Sequence, residues 1–210
     1  ASATDRALRP AEGGVRGDAR ALWRRLELTR DVGLVGLPSA GRSTFIAAVP
    51  RGRPKGAAYP FTTLHPNLGV AYVDDREIVL ADIPGLIAGA HEGAGLGDRF
   101  LGHIERCRAL LHLVDGTGED PVGAYRTVRD ELDAYGQGLA EKPEIVALNK
   151  CDSLTREAID ERRAALAEAS GAEVQVTSGV AGTGVPGVLR LLSGWLDVAR
   201  TSEAEEAFQP

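Results

Sequence analysis

Methionine is absent from this chain and lysine nearly so: of 24 basic residues only Lys55, Lys142 and Lys150 are lysine, the rest being arginine. A chain without methionine that opens on Ala1 reads as a piece of a longer protein, and flanking domains are expected. Cysteine is also scarce. Cys107 and Cys151 are the two present, which excludes the dense disulfide framework of a small secreted domain. No basic, apolar and small-residue succession marks a signal peptide, so a reducing cytoplasm is the expected setting. Long apolar runs are missing too. The stretches at 109–114 and 145–148 fall far short of the roughly 18 residues that a membrane span needs, and no membrane partner is expected. Nor is there an excess of positive charge. A net charge of -6 and a pI of about 5.3 exclude a protein that coats nucleic acid by bulk electrostatics. No DNA partner is expected, and any RNA contact must be local.

What is present suits one well-cored domain with a short appendage: 210 residues, 43% hydrophobic and 26% charged, with a mean hydropathy of -0.12. Residues 1–30 read as a tail rich in Ala, Gly and Arg, with Trp23 and Leu26 giving only a hint of regularity. From Asp31 onward, short apolar runs at 32–36, 70–73, 78–81, 110–114, 145–148 and 174–176 alternate with longer amphipathic or glycine-rich stretches. Strands alternating with helices imply an α/β fold with a mainly parallel central sheet flanked by helices. Asp120-Pro121 is a cap and first-turn pair ahead of Val122, Tyr125, Val128, Leu132 and Tyr135 at helical steps. Thr155 caps a second helix carrying Ile159, Leu166 and Ala169, stopped by Gly171. Pro186 opens a third, with Val188, Leu192, Leu196 and Ala199 as its buried stripe. The domain is expected to run over 31–200, leaving 201–210 as an acidic, frayed tail. The sequence carries no internal repeat.

The first apolar run ends in Gly36-Leu37-Pro38-Ser39-Ala40-Gly41-Arg42-Ser43-Thr44. Glycines at both ends let backbone N–H groups curl around a polyphosphate, a following helix N-terminus adds its positive dipole end, and the Ser43 hydroxyl is a ligand for Mg²⁺. The string departs from a nucleotide-binding loop at Arg42, whose planar fork stands where a compact lysine ammonium belongs. Such a guanidinium must either bend away from the β/γ-phosphate bridge or push the loop outward. Alone, the string reads equally as a strand-to-helix turn; the rest of the chain decides. Asp82-Ile83-Pro84-Gly85 follows another apolar run, placing Asp82 where it can hold a Mg²⁺-bound water and Gly85 where its N–H can reach a γ-phosphate. Asn149-Lys150-Cys151-Asp152 follows a third. The Asp152 carboxylate can accept both N1–H and the exocyclic amine of guanine, which adenine cannot satisfy. Asn149 can tie this turn to the phosphate loop, and the Lys150 stem can pack along the base. Thr177-Ser178-Gly179 follows the last run, where backbone amides can complete a base pocket.

With these elements in this order, the chain resembles the G domain of the Obg family of bacterial ribosome-assembly GTPases, over about 26–199. The strings that carry the resemblance are Tyr59-Pro60-Phe61-Thr62-Thr63-Leu64, Pro66-Asn67-Leu68-Gly69-Val70, and Asp82-Ile83-Pro84-Gly85-Leu86-Ile87 continuing through Gly89-Ala90-His91-Glu92-Gly93-Ala94-Gly95-Leu96-Gly97. The resemblance implies a Mg²⁺-dependent GTPase that binds GTP and GDP. It further implies a role in late assembly of the large ribosomal subunit and a response to guanine nucleotides including the stringent alarmone. Thr63 looks like the switch threonine that closes on Mg²⁺ and γ-phosphate, and Gly85 like the switch glycine. Residues 13–29 are similar to the last stretch of the family's glycine-rich N-terminal domain. The chain departs from the family at Arg42, which replaces Lys, at Ser39, where many members have an Asn associated with potassium activation, and at Gly179, which replaces Ala. The last contact is largely through backbone, so a small effect is expected.

Phosphoryl transfer needs positioning and charge stabilisation more than covalent chemistry. Ser43, Thr63, Mg²⁺ and the loop amides are expected to supply both, with Arg42 as the loop's cation. Leu86 stands where Ras-like enzymes place a water-orienting Gln, so unaided turnover on the order of 10⁻⁴–10⁻³ s⁻¹ is expected. The remaining features have plainer readings. His103 and His112 read as structural, His91 as a loop hydrogen-bonder, and His65 stays undecided. Arg51, Arg53 and Lys55 read as well as a solvated loop as an RNA contact. Trp23 and Trp195 read as packing residues.

Overall fold

The computed structural model describes residues 30–50, 68–74, 76–83, 107–136 and 138–206. Strands form at all six apolar runs: β1 (Arg30–Val35), β2 (Leu68–Val73), β3 (Arg76–Asp82), β4 (Cys107–Asp115), β5 (Glu144–Asn149) and β6 (Gln175–Val176). Among the described residues four α-helices accompany them, α1 (Arg42–Ala48), α2 (Pro121–Tyr135), α3 (Arg156–Ser170) and α4 (Val185–Glu206), with a single 3-10 turn at Cys151–Ser153. The strands lie in the order β2-β3-β1-β4-β5-β6. All neighbours are parallel except β2 and β3, which pair antiparallel. That edge hairpin follows from chain length: only Asp74 and Asp75 separate the two strands, too few for the crossover that parallel pairing requires.

Period-two alternation sorts each central strand between two cores. Val32 and Leu34 of β1, Leu111 and Leu113 of β4, and Ile145 and Ala147 of β5 meet Phe45 and Ile46 of α1 and Val188, Leu192 and Leu196 of α4. Val35, Leu110, Val114, Val146 and Leu148 face the opposite way, against Val128 and Leu132 of α2 and Leu166 of α3. The sheet is thus covered on both faces, as a parallel sheet must be. Each large side chain buried in this way, Phe45 among them, stabilises the fold by about 1.5–3 kcal/mol.

The helix ends form as their sequences require. The Asp120 carboxylate accepts from the Gly123 N–H at 2.8 Å, and the Thr155 hydroxyl from the Ala158 N–H at 3.3 Å. Gly171 closes α3 at φ 67. Two expectations are corrected. Helix α4 runs on to Glu206, so much of the expected frayed tail is helical. Trp195 is 42% exposed, because at 3.6 residues per turn it lies on the flank of the stripe that Leu192 and Leu196 turn to the sheet and packs only in part. His112 is buried, as a structural histidine should be; its Nδ1 lies 2.7 Å from Glu144 Oε1 and its ring 4.9 Å from that of Tyr125. Burial, and then the Glu144 charge, push the Tyr125 hydroxyl up to about 12. Among the described residues no helix is long and apolar enough to cross a membrane.

Candidate nucleotide-binding site

Parallel pairing brings the carboxyl ends of β1, β3, β4, β5 and β6 to one edge of the sheet. The register sets Leu34 beside Asp82, Val35 beside His112, Asp115 beside Asn149 and Leu148 beside Val176. The described residues at these strand ends therefore share one edge, with strand order reversing about β1, the place where open α/β sheets bind ligands. Motifs as far apart in sequence as Gly36 and Gly179 become neighbours for this reason.

The loop after β1 is built by its glycines. Gly36 has φ 151, and a Cβ there would lie 2.4 Å from the Leu113 carbonyl oxygen. Gly41 has φ 92, and a Cβ there would lie 2.4 Å from Asn149 Nδ2. Ser39 also takes a left-handed conformation, with φ 74, while the Ala40 N–H closes on the Leu37 carbonyl at 3.1 Å. Pro38, Ser39, Ser43 and Thr44 are exposed along the rim, and the first turn of α1 has no acidic residue to repel an anion. A cavity of about 330 Å³ opens between this loop and Lys150.

Arg42 turns back on the loop instead of reaching outward. Its Nε donates to Asp82 Oδ1 at 2.7 Å, and its Nη1 donates to the carbonyls of Gly36 and, at 3.2 Å, Leu37. The Ser43 hydroxyl lies 3.4 Å from the other Asp82 oxygen. Hard oxygen donors of this kind suit Mg²⁺, so the hydroxyl and carboxylate fit the ion that the loop implies.

The base side is organised by Asn149, which is buried. Its Nδ2 donates to the Ala40 carbonyl at 2.8 Å, while its Oδ1 accepts from the Gly179 N–H at 3.1 Å and the Thr177 hydroxyl at 3.3 Å. Lys150, at φ 63, sends its ammonium to Asp115 Oδ2 at 2.6 Å. Burial pushes the Asp115 carboxyl up, but hydrogen bonds from Lys150 and Thr117 outweigh it and hold the group below its ordinary value. Asp152 is exposed, with Oδ1 accepting from the Ser178 hydroxyl at 2.5 Å and Oδ2 from the Ser153 hydroxyl at 3.3 Å. The Ser178 bond is the chief reason that its carboxyl sits below the usual range.

Phosphate loop, Asp82 and base motif are thus brought together, while Thr63 and Gly85 lie outside the described residues, as do His65, His91 and His103. The backbone amides after β6 have partners within the protein. The Ser178 N–H donates to the Thr183 carbonyl and the Gly179 N–H to Asn149, so in this structure both close the protein's own loops. The side chain of Ser178, through its hold on Asp152, is the more informative group. Asp115 escaped the sequence reading, although Asp115-Gly116-Thr117 repeats the pattern of a strand-end aspartate, and its Asx turn to Thr117 gives the same signal.

A parallel sheet that delivers a glycine loop, a strand-end carboxylate and an Asn-Lys-x-Asp turn to one edge defines a P-loop, GTP-binding G domain. Residues 31–150 match the family model described as 50S ribosome-binding GTPase, and the chain belongs to that family. Three solved structures share the fold. A GTP-binding protein from Sulfolobus solfataricus in complex with GDP is 18% identical, with a TM-score of 0.56 over 82% of this chain and 53% of that one. A nucleolar GTP-binding protein 1 from Plasmodium falciparum is 16% identical, TM-score 0.56, over 84% and 91%. The FeoB G-domain from Methanococcus jannaschii is 18% identical, TM-score 0.52, over 80% and 98%. The chain therefore spans about half the length of the Sulfolobus protein.

Proposed function

We propose that the chain is a Mg²⁺-dependent GTP-hydrolysing switch, Obg-like in role, that acts in the cytoplasm in assembly of the large ribosomal subunit. The observation that carries the nucleotide reading is Asn149, whose amide holds the Ala40 carbonyl of the phosphate loop and the Gly179 N–H of the last loop at once. Asp152, aimed by Ser178, would accept the guanine edge, and Lys150 would flank the base. The loop amides from Gly36 to Thr44 would hold the phosphates, with Ser43 and Asp82 toward the metal. Mg²⁺, held by Ser43 and Asp82, would supply positive charge against the charge that develops on the phosphates. Thr63 and Gly85 take their switch roles from the Obg resemblance. The ribosomal role rests on that resemblance and on the printed description of the family. Titration with fluorescent GDP, GTP and ATP analogues, followed by single-turnover hydrolysis with ribosomal subunits present or absent, tests the reading. Guanine selectivity and subunit-stimulated hydrolysis are expected; equal affinity for ATP overturns the base pocket.

One observation favours a second reading, a non-hydrolysing guanine-nucleotide sensor or assembly scaffold. Arg42 is already engaged by Asp82 and two loop carbonyls. Under the sensor reading, the parent binds GTP without turning it over. Under the switch reading, Arg42→Lys speeds a hydrolysis that the parent already performs, by restoring transition-state contacts.

A further inference from the structure

The three hydrogen bonds of Arg42 use the shape of its guanidinium. Nε and Nη1 point along different lines of one rigid plane, so a single side chain reaches Asp82 on one side and the carbonyls of Gly36 and Leu37 on the other. A lysine ammonium has no second nitrogen with which to bridge carboxylate and loop in that way. The side chains of Arg42 and Asp82 are only 15% and 8% exposed, which places the pair beyond the strong screening of a surface salt bridge. The other Asp82 oxygen faces the Ser43 hydroxyl at 3.4 Å. The carboxylate assigned above to the metal side of the proposed site is therefore already paired with a cation belonging to the protein.

We propose that Arg42 is the built-in counter-cation of Asp82, so that GDP binds with little dependence on Mg²⁺ and the metal must compete with the guanidinium for this carboxylate. The inference rests on the guanine-nucleotide reading of the site. Its physical basis is a difference between two states of Asp82. A free carboxylate adds Coulombic attraction to an arriving divalent ion, and a paired one adds little. Drawing the ion in also strips a poorly exposed guanidinium of its partner, which is costly. Both effects reduce what the metal contributes to nucleotide affinity. With lysine at position 42, the cation is released from Asp82 and that contribution returns.

The test uses the full chain and a fluorescent GDP analogue, titrated with Mg²⁺ and with EDTA, for the parent and for Arg42→Lys. Parent affinity is expected to change by less than about threefold between the two conditions, and that of Arg42→Lys by about tenfold or more. Thermal unfolding of each variant confirms that it is folded. A second readout needs no lysine variant: the Arg42 Nε–H resonance in a ¹⁵N NMR spectrum should be protected from exchange in the nucleotide-free parent and move in Asp82→Asn. If parent and Arg42→Lys both bind GDP with equal dependence on Mg²⁺, the counter-cation is refuted and the guanine site stands. A resonance indifferent to Asp82→Asn likewise removes the pairing. If the parent binds no guanine nucleotide in either condition, the reading of the site fails and the inference with it.

Discussion

Asn149 and Ala40, 109 residues apart in the chain, are joined by a 2.8 Å hydrogen bond from the amide Nδ2 to the backbone carbonyl. The same amide accepts from Gly179, so one buried side chain fastens the base turn to loops on either side of it. Asn149→Ala leaves the Ala40 carbonyl and the Gly179 N–H without their partner. Urea unfolding should show a loss of about 2–4 kcal/mol, the cost of buried polar groups left unpaired. GDP and GTP affinities should fall together, since the fastening serves both. A variant as stable as the parent would show that the bond carries no weight.

Asp152 supplies guanine selectivity in the proposed site. Asp152→Asn exchanges an acceptor oxygen for a donor and should move preference from guanine toward xanthine nucleotides. Ser178→Ala removes the 2.5 Å bond that aims the carboxylate and should weaken guanine binding without creating a xanthine preference. Competition titrations with GDP and XDP separate the two outcomes; unchanged GDP affinity in Asp152→Asn places the base elsewhere.

Gly179 lies close to the start of α1. A Cβ there would sit 3.2 Å from the Phe45 backbone nitrogen and 3.4 Å from its Cα. Gly179→Ala must therefore move helix backbone by a few tenths of an ångström, and a loss of about 1 kcal/mol is expected by analogy with overpacked cores. This is more than a contact made largely through backbone would suggest. Thermal unfolding against the parent decides it, and a neutral result means that the two loops separate freely.

Asp115 and Lys150 form a pair with a definite pH dependence. A carboxyl held below its ordinary value in the folded state stabilises the protein above its unfolded pKa, and the contribution is lost as pH falls through the lowered folded pKa. The side chains are 21% and 34% exposed, so about 0.5 kcal/mol is expected after solvent screening. Unfolding free energies measured from neutral to acid pH should fall less steeply for Asp115→Asn than for the parent. Parallel curves exclude the linkage.

Much of this protein was legible along the chain because short-range physics decides it. Apolar runs produced the six strands, and the caps at Asp120 and Thr155 set helix starts through bonds that span only three residues. The nine-residue loop and the Asn-Lys-x-Asp turn announced phosphate and base chemistry before any contact was known. Other features depended on which distant residues the sheet register made neighbours. Sequence left two courses open to Arg42, and the position of Asp82, 40 residues on, supplied the carboxylate that draws it back. Lys150 found Asp115 only because β4 and β5 pair with Asp115 beside Asn149. The amides of Ser178 and Gly179 were turned inward by Thr183 and Asn149. The amino-acid sequence by itself determined the elements and the groups able to hold a nucleotide. Tertiary structure decided which of those groups hold one another, since hydrogen bonds a few ångströms long form only where folding has brought their partners together.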